Sequence, residues 1–500
     1  MKGRGVARLS RWLTGILCMS LLRSAQAADW YVATNGTGLG TSWLDATNNL
    51  QGAINAIPAG ATNTVWVDSG VYEVGGVTNW PAGSMLTNRI AINKAITVRS
   101  RYNNPTNTII KGAWDSPATT NGPAAVRCIY MAANSSLIGF TLTTGATLAV
   151  WNDNPKASGG GAYCANTTAM LSNCVITANT AYFQGGGAYY GTLWNCTLIG
   201  NGAYYGGGTY GSIVRSGSML ISNAAIKTYS IYPSGGGADA GSLYDSTLIG
   251  NSAPFGGGGA AGAMLSNCIV IGNSGGSYGG GVNQCTVYNS TISGNSSPYN
   301  YSGGGAYNSS LYNCTVSSNS AGKGGGVAET TLYNCLLTRN LAMQTWAAEG
   351  GGAYHSTLYN CTVASNIANE ATGNSGNGGG AGGSCSLINT IVFTNYARIN
   401  GPNWYGSGTA FTNACTTPAS NGWAVGNIAT NPLFVNSVNG DYHLMPASLC
   451  RNAGTNFSWM TAGADVRSRD LDGQPRIQSG PVDMGAFELY LPAGSLFSIR

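Results

Sequence analysis

Acidic side chains are scarce in the middle of this 500-residue chain, and acid–base chemistry needs them in groups. Hydrolysis of a glycosidic bond uses two facing carboxyl groups, and calcium-assisted elimination uses clustered carboxylates beside a basic residue. Between residues 159 and 398 the acids are scattered over successive repeats: Asp239, Asp245, Glu329, Glu349 and Glu370. Only Asp239 and Asp245 are close enough in sequence to form a pair. The sequence therefore predicts no catalytic centre here, and the catalytic residues of any activity stay unknown.

Charged residues are denser towards the two ends of the chain. An early group could converge on one face as an unusual elimination site, with solvated residues on edges and loops as the alternative: Asp68, Glu73, Arg89, Lys94, Arg99, Arg101, Lys111 and Asp115. A C-terminal group mixes both signs and predicts an ion-paired cap: Asp465, Arg467, Arg469, Asp470, Asp472, Arg476 and Asp483. The segment "DLDG" at 470–473 could supply calcium oxygens, but no Glu follows at the distance found in an EF-hand loop. We therefore predict no metal and no cofactor, and calcium is left unsupported.

Aromatic residues recur at fixed positions and are the best candidates for ligand binding. One outward-facing set comprises Trp194, Tyr244, Tyr288, Tyr312, Tyr333 and Tyr359. A second set follows the glycines described below: Tyr163, Tyr189, Tyr210, Tyr307 and Tyr354. Aromatic faces stack on the apolar faces of sugar rings, while neighbouring Asn, Ser and Thr side chains bond to hydroxyl groups. The alternative is that the tyrosines stack on one another and stabilise a sheet.

Cysteine has a structural pattern in this chain. Six cysteines occupy one repeat position: Cys174, Cys196, Cys268, Cys314, Cys335 and Cys361. Other copies place Ser or Thr there, which predicts a column of small inward side chains. Zinc is disfavoured because no C-x-x-C pair occurs and the chain has only 2 histidines. Disulfides between parallel neighbours would be strained, and the disulfide state stays open.

The element that positions all these residues is a repeat. Ten glycine triplets begin at Gly159, Gly185, Gly206, Gly235, Gly256, Gly279, Gly303, Gly324, Gly350 and Gly378. The intervals of 21 to 29 residues are typical of a solenoid. Each copy contains only short, β-branched segments bounded by Gly or Asn, so helical repeats and leucine-rich repeats are poor fits.

A single copy, "GGGAYYGTLWNCTLIGN" at 185–201, shows how the chain bends. Leu193, Cys196 and Leu198 can all point inward if the chain turns at Asn195. Three short strands and three bends then make one coil, and stacked coils form parallel sheets. A closing Asn recurs in every copy, from Asn179 to Asn395, and predicts an amide ladder along the solenoid. The sequence therefore predicts an all-β parallel β-helix.

The first residues predict export. Residues 1–27 combine basic residues, an apolar run of about ten residues and a small-residue cleavage signal, the pattern of a secretory signal peptide. The run is too short for a membrane span, so no transmembrane span is expected in the mature chain. Removing five of the 22 basic residues leaves 17, equal to the 17 acids. With this charge balance, the mature chain has no net positive charge that would attract nucleic acid or an anionic membrane.

The expected domains follow from these segments. Residues 28–63 form an N-terminal cap, in which "TSWLDATNNLQGAINAI" at 41–57 predicts a short amphipathic helix over the first coil. Residues 64–400 form the β-helix, and 401–490 form an irregular C-terminal capping region, since solenoid ends need covering. Residues 491–500 form a tail.

The repeat also resembles known families. The pattern "GGGAY…LYNCTVSSNSA" is similar to right-handed parallel β-helix repeats of secreted bacterial proteins in the pectate-lyase-like (pectin lyase-like) superfamily, and to polymorphic outer-membrane protein repeats. The stretches 431–454 and 469–488 resemble the ending of choice-of-anchor β-helix surface proteins. The resemblance implies an exported, often cell-surface protein with a β-helix body, and one fold hosts many functions.

These observations give two functional expectations. The first is a secreted or cell-surface protein with an adhesive or glycan-binding role, whose partner is a polysaccharide or cell-surface glycan and which has no catalytic centre. The alternative is a polysaccharide lyase or another carbohydrate-active enzyme such as a glycoside hydrolase. The polygalacturonase signatures Asp-Asp, Gly-His-Gly and Arg-Ile-Lys are absent from the sequence.

Overall fold

The computed structural model describes most of the chain. The described residues are 29–58, 63–116, 119–226, 232–298, 302–343, 348–369, 375–419, 423, 425–461, 465–478 and 480–490. The predicted signal peptide (1–27), the predicted tail (491–500) and Glu370 lie outside them. No helix within these ranges has the length and apolar character to cross a membrane.

Successive strands stack in parallel into three long sheets. Sheet 1 has 15 strands: Trp30–Val32, Thr64–Val67, Thr97–Ser100, Ser136–Ile138, Met170–Ser172, Thr192–Trp194, Ile213–Arg215, Ser242–Tyr244, Met264–Ser266, Thr286–Tyr288, Ser310–Tyr312, Thr331–Tyr333, Thr357–Tyr359, Ser386–Ile388 and Ala410–Thr412. Sheet 2 has 14: Gly70–Tyr72, Thr108–Lys111, Thr141–Thr143, Val175–Thr177, Thr197–Ile199, Met219–Ile221, Thr247–Ile249, Ile269–Ile271, Thr291–Ser293, Thr315–Ser317, Leu336–Thr338, Thr362–Ala364, Ile391–Phe393 and Cys415–Thr416. Sheet 3 has 12: Thr87–Ile92, Val126–Met131, Ala162–Cys164, Ala188–Tyr189, Thr209–Tyr210, Ala238–Asp239, Ala260–Ala261, Val282–Asn283, Ala306–Tyr307, Val327–Ala328, Ala353–Tyr354 and Ala381–Gly382.

Each coil visits sheet 3, then sheet 1, then sheet 2, and winds in the right-handed sense usual for parallel connections. The prediction of a right-handed parallel β-helix is confirmed. A short fourth strand that the sequence did not suggest follows sheet 2 in many coils and forms two small sheets. Their strands are Gly202–Ala203, Ala224–Ala225, Ser252–Ala253 and Ser274–Gly275, then Ser320–Ala321, Leu341–Ala342, Ile367–Ala368 and Tyr396–Ala397.

The corners between sheets are made by single residues. Asn195, between sheets 1 and 2, has φ +52°, and the equivalent residue is usually Asn, which tolerates this left-handed region better than most residues. Gly185 opens its coil at φ +63°, and a Cβ there would lie 2.2 Å from the carbonyl oxygen of Ala188. Glycine is therefore required at that corner.

The closing asparagines form the predicted amide ladder, which is confirmed. Asn201 Nδ2 donates to Asn223 Oδ1 at 2.9 Å and to the Ile176 carbonyl oxygen at 2.8 Å. Its own Oδ1 accepts from the backbone N–H of Asn179 at 3.1 Å. The same pattern repeats along the coils to Asn395. These side-chain amides are buried, so their donors and acceptors need partners within the protein, and the neighbouring coils supply them.

The interior is a continuous column of small and branched apolar side chains. Leu193, Cys196 and Leu198 are all buried, as the alternation predicts. The twelve described cysteines are buried free thiols. Helix α1 (Leu50–Ala56) packs Leu50 and Ile54 into the first coils and is capped by Asn49. A second helix, α2, is one turn at Asn154–Ala157.

The β-helix extends beyond the boundaries, residues 64–400, expected from the sequence. Its first strand, Trp30–Val32, lies in the predicted N-terminal cap, and its last, Cys415–Thr416, lies past residue 400. Residues 417–419 and 425–428 then lie against the last coil through hydrogen bonds such as Trp404 Nε1 to the Pro418 carbonyl oxygen and Thr416 N–H to the Ile428 carbonyl oxygen.

The remainder, which we call the C-terminal pad (residues 432–461, 465–478 and 480–490), lies on the side of the β-helix rather than across its end. Its antiparallel strands Phe434–Asn436 and Asp441–Leu444 are followed by the 3₁₀ turns Ser458–Met460 and Val466–Ser468, and Ser437–Asn439 is a third such turn. Phe434, Tyr442, Leu444, Met484 and Phe487 pack on the outer face of sheet 2 at Leu336, Ala364, Ile391 and Cys415. The apolar residues at those outward positions explain the lateral packing.

Candidate ligand-binding faces

The six predicted ligand-binding residues share the last position of their sheet 1 strands. The register pairs Tyr288 with Tyr312, Tyr312 with Tyr333, and Tyr333 with Tyr359 across neighbouring coils. Trp194 lies further along the same column and is 46% exposed. The structure therefore brings these residues onto one face.

Four of these six aromatic residues form a stack of rings. From Tyr288 through Tyr312 and Tyr333 to Tyr359, successive ring centroids are 4.8, 5.2 and 4.8 Å apart, with interplanar angles of 16°, 2° and 4°. Ring faces that contact each other are closed to a sugar, and only edges and hydroxyl groups stay open. The tyrosines of the stack thus contact one another, as the alternative of a sheet-stabilising role describes. Ring faces that no other ring covers remain on Tyr288 at the outer end of the stack, on Tyr244 and on Trp194.

The C-terminal pad covers the other end of the stack. Trp459 lies edge-on to Tyr333, with ring centroids 5.4 Å apart, and Phe457 lies edge-on to Tyr359 at 6.2 Å. The pad also buries Thr362 on the outer face of sheet 2, where its Oγ1 accepts the backbone N–H of Ala486 at 3.0 Å. Sequence reasoning missed this cover, since the contacts join residues 98 to 126 positions apart.

The second aromatic set lies on sheet 3. Tyr163, Tyr189 and Tyr210 stack with centroid distances of 4.9 and 5.8 Å, and Tyr130 extends the stack. Beneath it the buried Arg127 donates to the carbonyl oxygen of Gly159 and to Asn88 Oδ1, while Tyr163 covers its guanidinium at 4.8 Å. Burial lowers the pKa of Arg127. The remaining members of the set, Tyr307 and Tyr354, lie several coils away.

Asp239 occupies the coil after Tyr210 in the same column. Its Oδ2 accepts the Ser234 hydroxyl at 2.6 Å, and burial raises the pKa of Asp239 to about 7. Asp245 instead lies at a corner of sheet 1, where Asn267 Nδ2 donates to it at 3.2 Å. The pair considered from the sequence is therefore split between two faces.

A groove of about 490 Å³ runs between sheet 2 and the C-terminal pad. It is lined by the outward residues Thr291 and Thr315 and by His443 and Asp472 of the pad. His443 Nε2 lies 2.6 Å from Asp472 Oδ2, and its Nδ1 lies 2.6 Å from Asp441 Oδ1. Burial opposes the charge, but the two carboxylates outweigh it and raise the pKa of His443. In the sequence, the sign of this His–Asp cluster is the two-residue spacing of Asp441 and His443, which places both side chains on one face of a strand.

The two charged groups noted in the sequence resolve mainly into pairs. Arg101 bonds Asp68 and Lys111 bonds Glu73, each at 2.8 Å, so the early group neutralises itself in separate places. In the C-terminal group Arg467 bonds Asp465, and Asp470 accepts the backbone N–H groups of Asp472, Gln474 and Glu488. These bonds close the 470–474 turn and tie it to Glu488. Within the described ranges no three His, Cys, Asp or Glu side chains could hold a metal ion together.

Comparison with known proteins gives likeness at the level of fold. No family model and no curated relative matches the chain. Among solved structures, pectate lyase Pel9A aligns over 93% of this chain and 97% of its own at 14% identity and a TM-score of 0.30. The mannuronan C-5 epimerase AlgE6 A-module of Azotobacter vinelandii covers 74% and 95%, at 15% identity and a TM-score of 0.32. A rhamnogalacturonan lyase covers 82% and 90%, at 11% and 0.30.

The chain is a right-handed parallel β-helix protein. Its architecture is the one that the resemblance to the pectate-lyase-like superfamily implied, and the stacked coils described above establish it directly. The TM-scores and sequence identities of the structural matches are too low to indicate an activity. A function therefore has to be inferred from the side chains exposed on the sheets of this protein.

Proposed function

We propose that this protein is exported and binds a glycan through the aromatic column of sheet 1 without cleaving it. The observation that supports this most is Trp194, a large aromatic residue that is 46% exposed on a flat parallel sheet. Within the described chain it stacks against no other ring. An indole face open to water in this way is suited to the apolar face of a sugar.

Polar side chains line the same edge of the column. Asn195 follows Trp194 at the corner and bonds Asn173 through its Nδ2 at 3.4 Å. Asp245 and Asn267 occupy the equivalent corner beside Tyr244 and Ser266 and are both exposed. Amide and carboxylate groups beside aromatic faces supply the hydrogen bonds that sugar hydroxyl groups need. The column therefore offers both contacts of a glycan site.

The test is binding by the chain that begins at residue 28. Wild-type protein should be retained by at least one member of a panel of polysaccharides and bind on a glycan array, and Trp194→Ala should weaken that binding severalfold. Trp114→Ala is the matched control, because Trp114 is exposed to a similar degree (40%) but lies outside the column. Silence on the array together with no retention would refute the proposal.

Asp239 favours cleavage of a polysaccharide as a second candidate. A carboxyl group whose pKa is raised to about 7 by burial can serve as an acid or a base near neutral pH. Its neighbours Tyr210 and Ser234 give it an aromatic and a hydroxyl contact. Release of unsaturated or reducing products from uronate polymers by wild-type protein, lost in Asp239→Asn, would establish this activity in place of simple binding.

A further inference from the structure

The column of sheet 1 has one interruption. Reading outward positions coil by coil gives Trp194, Arg215, Tyr244, Ser266, Tyr288, Tyr312, Tyr333 and Tyr359. Every member except Ser266 carries a flat ring or a guanidinium group. Ser266 pairs with Tyr244 on one side and with Tyr288 on the other, so a small side chain stands where two aromatic residues face each other.

Both tyrosines beside Ser266 keep one face free. The guanidinium of Arg215 lies 4.7 Å from the ring centroid of Tyr244 and covers the face on the Arg215 side. Tyr288 uses its other face against Tyr312, nearly parallel at 16°. No other ring or cation in the described chain lies against either tyrosine, and all three residues of the gap are partly exposed.

The width of the gap admits a single ring. Neighbouring strands are about 4.8 Å apart, so the two tyrosine rings are about 9.6 Å apart. One ring fits a space of this width, since Tyr312 lies between Tyr288 and Tyr333 at centroid distances of 4.8 and 5.2 Å. The polar corner beside the gap, with the exposed Asp245 and Asn267, favours a sugar ring, because its hydroxyl groups need hydrogen-bond partners.

We propose that the gap at Ser266, between Tyr244 and Tyr288, is a subsite that holds one pyranose ring sandwiched between the two tyrosines. The exposed Asp245 and Asn267 at the adjacent corner lie where they can bond the hydroxyl groups of that ring. This inference rests on the proposed glycan binding and adds where a single sugar sits and why the stack is broken at one coil.

The decisive variant is Ser266→Tyr, which fills the gap with a ring. It is expected to fold, because Tyr312 already occupies the same position between two tyrosines one strand on each side. The added ring should leave the melting temperature unchanged or raise it, and should weaken glycan binding at least tenfold. Ser293→Tyr is the matched control, since it makes the same change at the outward end of a sheet 2 strand, away from the gap, and should bind within twofold of wild type.

Binding would be titrated with short oligosaccharides of glucose, xylose and galacturonate, and with indole as a flat competitor. Tyr244→Ala, which removes one wall, should also weaken the sugar at least tenfold, and it decides the question if Ser266→Tyr does not fold. A folded Ser266→Tyr that binds as tightly as wild type would overturn the subsite but leave glycan binding standing. Wild type that binds none of the sugars would overturn both, and displacement by indole would replace the pyranose with an aromatic partner.

Discussion

Replacing Asn273 with Ala should damage the fold out of proportion to the atoms removed. Asn273 is fully buried, and its Oδ1 accepts the backbone N–H and the side-chain N–H of Asn251, both at 2.9 Å. Its Nδ2 donates to Asn295 Oδ1 at 2.9 Å and to the Leu248 carbonyl oxygen at 3.0 Å. The truncation leaves two donors of Asn251 and the Leu248 oxygen without these partners in a site closed to water.

Each buried polar group left unsatisfied costs about 1 to 3 kcal/mol, so three of them, with some relaxation, give a loss of about 3 to 6 kcal/mol in the free energy of unfolding. Urea denaturation followed by far-ultraviolet circular dichroism would measure it, and hydrogen exchange at the Asn251 amide would locate it. The control is Asn267→Ala in the same repeat. Asn267 is exposed at φ +55°, so its replacement should cost only about 1 kcal/mol. Equal losses for the two variants would refute the ladder as a main source of stability.

The folded-state pKa of His443 is raised, so the stability it contributes is full below the unfolded pKa of about 6.5 and is lost as pH rises through the folded value. His443→Gln should therefore lose melting temperature at pH 6 but little at pH 9, and equal losses at both would contradict this. The pKa of Asp239 is also raised, to about 7, so its burial destabilises the fold increasingly from about pH 4 to above 7. Asp239→Asn should melt higher than wild type at pH 8 and alike at pH 4. Burial raises the pKa of Cys285 to about 12, and the described thiols should react with a thiol reagent only after unfolding. Rapid labelling of native protein would count against the buried column.

The orientation of the repeated residues was predictable from the sequence, because the position of a residue within the repeat determines whether its side chain points inward or outward. The ladder at Asn273 and the shared face of Tyr288 and Tyr312 follow from position within a copy. The role of the stacked rings did not follow, since a sequence gives the spacing of tyrosines and not the orientation of their planes. The gap at Ser266 did not follow either, since only the register places this residue between Tyr244 and Tyr288.

Contacts of the C-terminal pad were beyond sequence reasoning for a different reason. Nothing near Phe487 indicates that it packs against sheet 2, because the matching apolar residues, such as Leu336, are spread through distant repeats. The placing of His443 between Asp441 and Asp472 likewise depends on a loop closing over a strand 29 residues away. The short fourth strand was missed because two-residue strands carry no periodicity.

The asparagine ladder also determines where the chain tolerates a change in length. In nine of the ten copies the closing Asn lies 16 or 17 positions after the first glycine of its triplet, whereas the next triplet begins 5 to 12 positions after that Asn. Residues inside the first stretch, from the triplet to the closing Asn, are tied to both neighbouring coils, so an insertion there would shift every bond of the stack. The second stretch, after that Asn, begins with the short fourth strand in many coils, so sequence can be added only after that strand. Each coil thus has one segment of adjustable length, and an epitope or peptide inserted between Ile226 and Tyr232 should leave all three sheets in register.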